Sequence, residues 1–257
     1  MQTNIYHITQ FKDNSAYLNF IGCRWKCKGC ARLLGWDSHL SPDDIKNLNK
    51  IYPNRQRLKL EVNDAVKILT SNNAKKVYLG GEEPTLDPNI VEILKILKEN
   101  DFLTKLVTNG EFLSEKIIEL VDEATLSIKA LGDEIHRSYT GVSNEKTLKN
   151  FEKFCDSGKI ELESIYIPEL VECEEILKIA NHIADYNKDL KYRIDKFYSY
   201  NGYKRDATEK EVGGCLKKVK RILPNAYTFT SRSMGDKIDY AECLYPKLLK
   251  KVLSKKD

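Results

Sequence analysis

The stretch "FIGCRWKCKGCARLLGW", Phe20 to Trp36, puts Cys23, Cys27 and Cys30 within eight residues. Thiolates are soft ligands, so three in one loop point to a metal. A structural zinc site takes four protein ligands, usually as two spaced pairs. Here the nearby fourth donor is His39, nine residues beyond Cys30. Inert core thiols are the plain alternative, and a Lys/Arg-rich loop suits them poorly. Iron–sulfur clusters usually take four cysteines. Three would leave one iron open to a ligand from outside the protein, and that vacancy would be the working part.

Elements must hold such a loop in place. "SAYLNFIGC", "KKVYLGG", "FLTKLVTNG", "ATLSIKAL", "IELESIYIPE" and "LKYRIDKFYSY" read as six strands. Between them lie helical patterns: "EVNDAVKILTSN", "DPNIVEILKILKEN" with Asp87 as N-cap, "SEKIIELVDE" with a Ser114 cap, "SNEKTLKNFEKFC" and "ECEEILKIANHIADYN". The alternation predicts an α/β fold with a parallel sheet, an incomplete (β/α)6 TIM-like barrel. Residues 1–201 form the expected core. From Gly202 the pattern changes to a helix, a strand pair ("AYTFTSR", "DKIDYAEC") and a last helix, an α+β appendage over 202–257 packed on the core. In such folds reactive groups sit just past the carboxyl ends of strands. Cys23, Gly80-Gly81-Glu82-Glu83, Thr108-Asn109, Lys129, Pro168 and Tyr198 all fall there on this reading.

Composition narrows the class. The 257 residues carry 42 basic and 38 acidic side chains, a formal charge of +4, and the interspersed signs argue against a nucleic-acid binder. The basic tail "KLLKKVLSKKD" reads as a solvated helix. No run resembles a secretory signal or approaches the ~18 apolar residues of a membrane span. The expectation is a cytoplasmic monomer with reduced thiols, and seven cysteines in a chain of this length do not suggest a disulfide framework.

The C-x3-C-x2-C spacing after a first strand and the Gly-Gly-Glu run after the second resemble the radical S-adenosylmethionine (SAM) superfamily. Trp36-Asp37, "TNG" after the third strand, "IK" in the fourth and "GDEIHRSYTGVSNEKTL" resemble its pyruvate formate-lyase activating enzyme branch, which acts on glycyl radical enzymes. The resemblance covers roughly Ala16 to Tyr200. It implies that Cys23, Cys27 and Cys30 hold a 4Fe-4S cluster whose fourth iron is chelated by SAM. An electron would then break the sulfonium C–S bond, and a 5′-deoxyadenosyl radical would abstract hydrogen from a substrate. Gly80 and Gly81 would admit the methionine end of SAM, and Glu82 or Glu83 would accept from its ammonium. Lys129, the implied catalytic residue, would pair with its carboxylate. Gly29, Trp36, Thr108, Asn109, Ser127 and Tyr198 complete the implied cofactor site. The implied partners are an electron donor such as flavodoxin or ferredoxin and a glycyl radical enzyme or other protein substrate.

The chain departs from that branch around SAM. Val107 and Ser127 stand where the branch has two aspartates that help hold a monovalent cation. Gly29 replaces a frequent aromatic, and Tyr198 a histidine. Cys155, Cys173, Cys215 and Cys243 are scattered, and Cys215 with Cys243 reads as packed small side chains rather than a second cluster. His136 reads as a structural histidine, Trp36 as a cover for the cluster loop, and Tyr139, Tyr166, Tyr200 and Tyr203 as either lining or packing. Two other functions compete: radical modification of a small molecule or peptide, and a cluster-binding electron-transfer or scaffold protein. The last has no use for Lys129 and the Gly-Gly-Glu run.

Overall fold

The computed structural model describes residues 1–229 and 240–247. Nine strands form one sheet in the order β8-β7-β6-β5-β4-β3-β2-β1-β9. They are β1 Ile5–Gln10, β2 Ala16–Phe20, β3 Lys76–Gly81, β4 Leu103–Thr108, β5 Glu123–Ser127, β6 Ile160–Tyr166, β7 Tyr192–Lys196, β8 Ala226–Tyr227 and β9 Glu242–Tyr245. From β2 to β8 every pairing is parallel, in chain order. The six expected strands are β2 to β7. The sheet has two free edges among the described residues, so it is an open, partial barrel and not a closed one.

Helices cover the connections: α1 Pro42–Ile51, α2 Val62–Ser71, α3 Ile90–Glu99, α4 Glu115–Leu120, α5 Asp133–Thr140, α6 Glu145–Phe154, α7 Cys173–Tyr186 and α8 Glu209–Val219. Period-2 alternation splits the strands into two faces. Leu18, Val77, Leu79, Leu106, Leu126, Leu162 and Ile194 enter the main core with the helices' apolar stripes. The opposite face carries Lys105, Thr125, Ser127, Glu161, Glu163, Arg193 and Asp195; they pair with one another across strands, apart from Asp195, which pairs with Arg193 of its own strand.

Some local expectations change. The N-cap of α3 is Asn89, not Asp87. The Asp87 carboxylate instead accepts from the backbone of Asn89 at 2.8 Å and of Asn4 at 2.5 Å, which ties the chain start to the helix entrance. Ser114 caps α4 by position, without a side-chain hydrogen bond. Three elements differ from the expectation: β1, antiparallel to β2; α5, over Asp133–Thr140; and α1, whose Ser41-Pro42-Asp43-Asp44 start is a legible capping signal. Parts of "AYTFTSR" and "DKIDYAEC" lie outside the described residues, and among the described residues the two tail strands do not pair with each other. Ala226–Tyr227 extends the β7 edge and Glu242–Tyr245 lies antiparallel on β1, at the far edge. Each finds an unpaired backbone edge there, which satisfies more hydrogen-bonding groups than an isolated ribbon would. The expected last helix and basic tail fall largely on 248–257, outside the described residues.

Candidate active site

The cysteine loop leaves β2 at the carboxyl edge of the parallel strands and is clamped from several sides. The Lys26 N–H donates to the Thr140 carbonyl at 2.7 Å and the Lys28 N–H to Tyr139 at 3.1 Å, both at the end of α5. Trp25 is buried; its indole N–H donates to Glu111 Oε2 at 3.0 Å, and its ring meets His136 edge-on. Asn201 Nδ2 donates to the Lys28 carbonyl at 2.7 Å. Gly29 is required by close approach, since a Cβ there would lie 2.5 Å from Phe197 Cε2.

Cys23, Cys27 and Cys30 are half-buried and free. Burial pushes the Cys23 thiol up to about 12, with Glu83 and Cys27 adding to the rise and Arg32 opposing it. Burial likewise raises Cys27 to about 11, against Lys129 and Arg32. A thiolate ligand set therefore needs a positive centre to ionise it, which iron supplies. Among the described residues no three His, Cys, Asp or Glu side chains converge on a single metal position. Thiols that each take a different iron of a cluster do not need to converge so closely. His39, the fourth donor of a zinc reading, bonds Asp37 Oδ1 through Nδ1 at 2.7 Å, and among the described residues it joins no metal-binding group with the three thiols. The donor chemistry and the three-thiol loop fit an iron–sulfur cluster.

Three further strand ends, of β3, β4 and β5, carry expected site residues. After β3, Gly81 sits at φ +93°, where a Cβ would come within 2.9 Å of the Phe20 nitrogen. The space a Gly80 side chain would occupy is taken by the Tyr17 hydroxyl, which also accepts from the Gly81 N–H at 3.3 Å. The two glutamates separate. Glu83 is buried; its Oε1 accepts from the Thr85 N–H (3.1 Å), Thr85 Oγ1 (2.6 Å) and Thr108 Oγ1 (2.7 Å), and its Oε2 from the Asn109 N–H (2.8 Å). A carboxylate has about four acceptor positions, so these donors nearly saturate it. Burial raises the Glu83 pKa against those hydrogen bonds. Among the described residues Glu82 accepts one hydrogen bond, from the Gly22 N–H at 2.9 Å, with Arg32 and Arg55 each 4.0 Å away. Beyond β4, Asn109 Nδ2 lies 4.0 Å from Cys23 Sγ.

Past β5, Lys129 Nζ reaches Glu163 Oε1 at 3.4 Å. Ser127 Oγ donates to the same oxygen, and Arg193 of β7 pairs with Glu163 Oε2 while bonding Asp195 at 3.0 Å through Nε. Lys129 and Arg193 hold the Glu163 carboxyl well below its ordinary range despite burial, and Asp195, half-buried beside that charge, is pushed up. Glu163 and Arg193 gave no signal in the sequence; only the sheet brings them to Ser127 and Lys129. Val107 sits on the same face of β4, at the level of Thr125 in β5.

Two expected site residues have contacts of their own. Trp36 is buried in a side cluster with Tyr6, Leu40 and Leu48, where its indole donates to Asn49 at 2.9 Å. Tyr198 is 49% exposed with Lys196 over its ring. Cys215 packs in α8, 4.0 Å from the Cys173 carbonyl, whereas Cys243 lies in β9 at 3.9 Å from His7, so the two are not brought together. His136 is fully buried, its Nδ1 on the Val142 carbonyl at 2.8 Å, in the structural role expected. Among the described residues no helix is long and apolar enough to cross a membrane.

A family model described as the Radical SAM superfamily matches residues 20–183, the span from the cysteine loop into α7. The chain belongs to the radical SAM superfamily. Cofactors of this family are a 4Fe-4S cluster and SAM. A Methanocaldococcus jannaschii protein, named as a candidate glycyl-radical enzyme activating enzyme, is 35% identical over 77% of this chain and 72% of its own length. Pyruvate formate-lyase 1-activating enzyme of Escherichia coli K12 is 25% identical over 58% of each chain. GTP 3',8-cyclase of Clostridium perfringens is 26% identical over 65% of this chain and 54% of its own. Among solved structures, Streptococcus suis SuiB bound to S-adenosylmethionine superposes with TM-score 0.58 at 16% identity, over 91% of this chain and 49% of that one. A domain of pyruvate-formate lyase-activating enzyme from Bacteroides vulgatus gives 0.53 at 15% identity, over 61% of this chain and all of that domain. The chain thus spans about half of SuiB, and these superpositions bear on the fold.

Proposed function

We propose that this radical SAM chain is an activating enzyme that abstracts hydrogen from a glycine of a partner protein. Cys23, Cys27 and Cys30 would hold the 4Fe-4S cluster, and SAM would complete it. When bound, the cluster would supply one electron to SAM, whose C–S bond would break with release of methionine, giving hydrogen-abstracting chemistry at the substrate C–H bond. This chain's own residues position the reactants. Lys129 offers an ammonium for the carboxylate of SAM. Glu82 keeps acceptor capacity for its ammonium, which Glu83 lacks. Glu163, held by Ser127, Lys129 and Arg193, fixes where Lys129 points. The observation that carries the reading is the clamped three-thiol loop beside Lys129 at the carboxyl edge of one parallel sheet.

The glycine target is supported by the likeness to activating enzymes. The experiment is electron paramagnetic resonance of anaerobic source-cell extract mixed with reduced enzyme and SAM. A doublet glycyl signal on a captured protein is the expected result. SAM-dependent modification of small molecules or peptides in the same extract, without that signal, would replace this substrate.

A further inference from the structure

We propose that Glu175 of α7 and Asn144, at the start of α6, are positioning residues for SAM that act through Lys129; this rests on the Lys129 role given above. The pairing of β5 with β6 runs to Ser127, which lies opposite Glu163. One more bond of the ladder follows, from the Ile128 N–H to the Glu163 carbonyl at 2.9 Å. Lys129 comes next and stands on backbone beyond the last strand pairing. Side chains take over from the ladder there. Ser164 Oγ of β6 donates to the Ile128 carbonyl at 2.7 Å. Asn144 Nδ2 donates to the carbonyls of Ala130 at 3.1 Å and Leu131 at 2.7 Å, which uses both of its hydrogens. Glu175 Oε1 accepts from the N–H groups of Leu131 at 2.8 Å and Gly132 at 2.7 Å. Ser164, Asn144 and Glu175 are all buried. Polar groups placed there must find partners, and the partners they find are the backbone groups on either side of Lys129.

The stretch "GDEIHRSYTGVSN" builds half of this clamp. Its chain leaves the Lys129 segment at Gly132, runs through α5 and returns at Asn144. Asp133 Oδ1 closes the return, accepting from the Ser143 hydroxyl at 2.7 Å and the Asn144 N–H at 3.2 Å. His136 Nδ1 bonds the Val142 carbonyl at 2.8 Å in the same turn. Glu175 reaches the segment from α7, and its other oxygen lies 3.6 Å from Lys178 Nζ. A lysine ammonium rides on a flexible four-carbon stem, so its place is set by its backbone and by what meets its tip. Glu163 meets the tip at 3.4 Å, while Asn144 and Glu175 hold the backbone. Misplacing a group by about 1 Å costs on the order of 100-fold where geometry is strict, so loosening one side of the clamp should cost about tenfold.

The test is a double-mutant cycle on reconstituted holoenzyme, with affinity read by equilibrium dialysis of labelled SAM. Glu175→Ala should weaken SAM binding about tenfold on its own and less than about twofold in a Lys129→Ala background, with iron content unchanged in both. Glu175→Gln, whose carbonyl oxygen can accept from both N–H groups, should recover most of the loss. Asn144→Asp, which sets oxygens against the Ala130 and Leu131 carbonyls, should give the same background-dependent loss, and it carries the test if Glu175→Ala does not fold. Amide hydrogen exchange in the apoprotein reads the clamp itself. Leu131 and Gly132 should exchange slowly in wild type and Glu175→Gln, and at least about tenfold faster in Glu175→Ala. Equal losses in the two backgrounds, unchanged affinity in Glu175→Ala, or exchange at Leu131 and Gly132 as fast in wild type as in Glu175→Ala would overturn the proposal. A Lys129→Ala protein that binds SAM as tightly as wild type would instead remove the Lys129 role, and the positioning with it.

Discussion

Substitution of Glu83 separates a scaffold carboxylate from a SAM ligand. Its oxygens serve two backbone N–H groups, of Thr85 and Asn109, and two hydroxyls, of Thr85 and Thr108. The hydroxyls can turn to other acceptors; the N–H groups cannot. A buried donor left without a partner costs about 1–3 kcal/mol, so Glu83→Ala should lose about 4 kcal/mol once the missing side-chain volume is added. Glu83→Gln keeps one carbonyl oxygen, orphans one N–H, and lets its amide donate to the hydroxyls, for about 2 kcal/mol. Anaerobic urea unfolding of the apo protein should show midpoints in the order wild type, Gln, Ala. Burial raises the Glu83 pKa above its unfolded value, so the folded state holds this proton more tightly. Its contribution to stability is therefore full below the unfolded value and falls as pH rises through the folded one. Glu83→Gln should remove that slope. SAM affinity in the reconstituted Gln variant should stay within about threefold of wild type, while Glu82→Gln, which loses a charge-assisted acceptor, should weaken it about tenfold or more. A tenfold loss from Glu83→Gln with unfolding unchanged, and none from Glu82→Gln, would refute the reasoning.

Lys129→Ala should weaken SAM binding in titration calorimetry by ~2–4 kcal/mol, roughly 30- to 1,000-fold, with iron content near wild type. Unchanged affinity would take Lys129 out of the site. Anaerobic reconstitution should give about four iron per chain in the wild type and in Cys215→Ala, and loss of the cluster in Cys23→Ala, Cys27→Ala or Cys30→Ala. Exchange of sodium for potassium, or for a bulky organic cation at constant ionic strength, should change SAM cleavage by less than about tenfold. Val107 and Ser127 bring no carboxylate, and Glu163 is already neutralised by Lys129 and Arg193. A larger response would mean that other oxygens hold a cation there.

The six parallel strands were legible because Val, Ile and Leu runs alternate with amphipathic helices, a pattern with few solutions. The cysteine loop was legible because thiols at fixed short spacing have few uses. What escaped depends on chain segments far apart in sequence. Glu163 and Arg193 reach Ser127 and Lys129 only through the register of β5, β6 and β7. Glu111, which anchors Trp25, comes from the loop after β4. The filling of the Gly80 side-chain space by Tyr17 follows from β2 and β3 lying side by side. The tail strands looked like partners because they are close in sequence, yet the sheet offers each an open edge on opposite sides. The Ser41 capping signal of α1 and the apolar Ile5–Gln10 strand were there to be read.

The central claim is reductive SAM cleavage at the three-cysteine loop. Reconstituted wild-type protein, Cys27→Ala and Cys215→Ala are each incubated anaerobically with dithionite and SAM, and the nucleoside products are resolved by liquid chromatography with mass detection. The account predicts 5′-deoxyadenosine and methionine from wild type and Cys215→Ala, and neither from Cys27→Ala. Iron-replete wild-type protein that binds SAM and yields no 5′-deoxyadenosine, or a Cys27→Ala protein that yields as much as wild type, would contradict it.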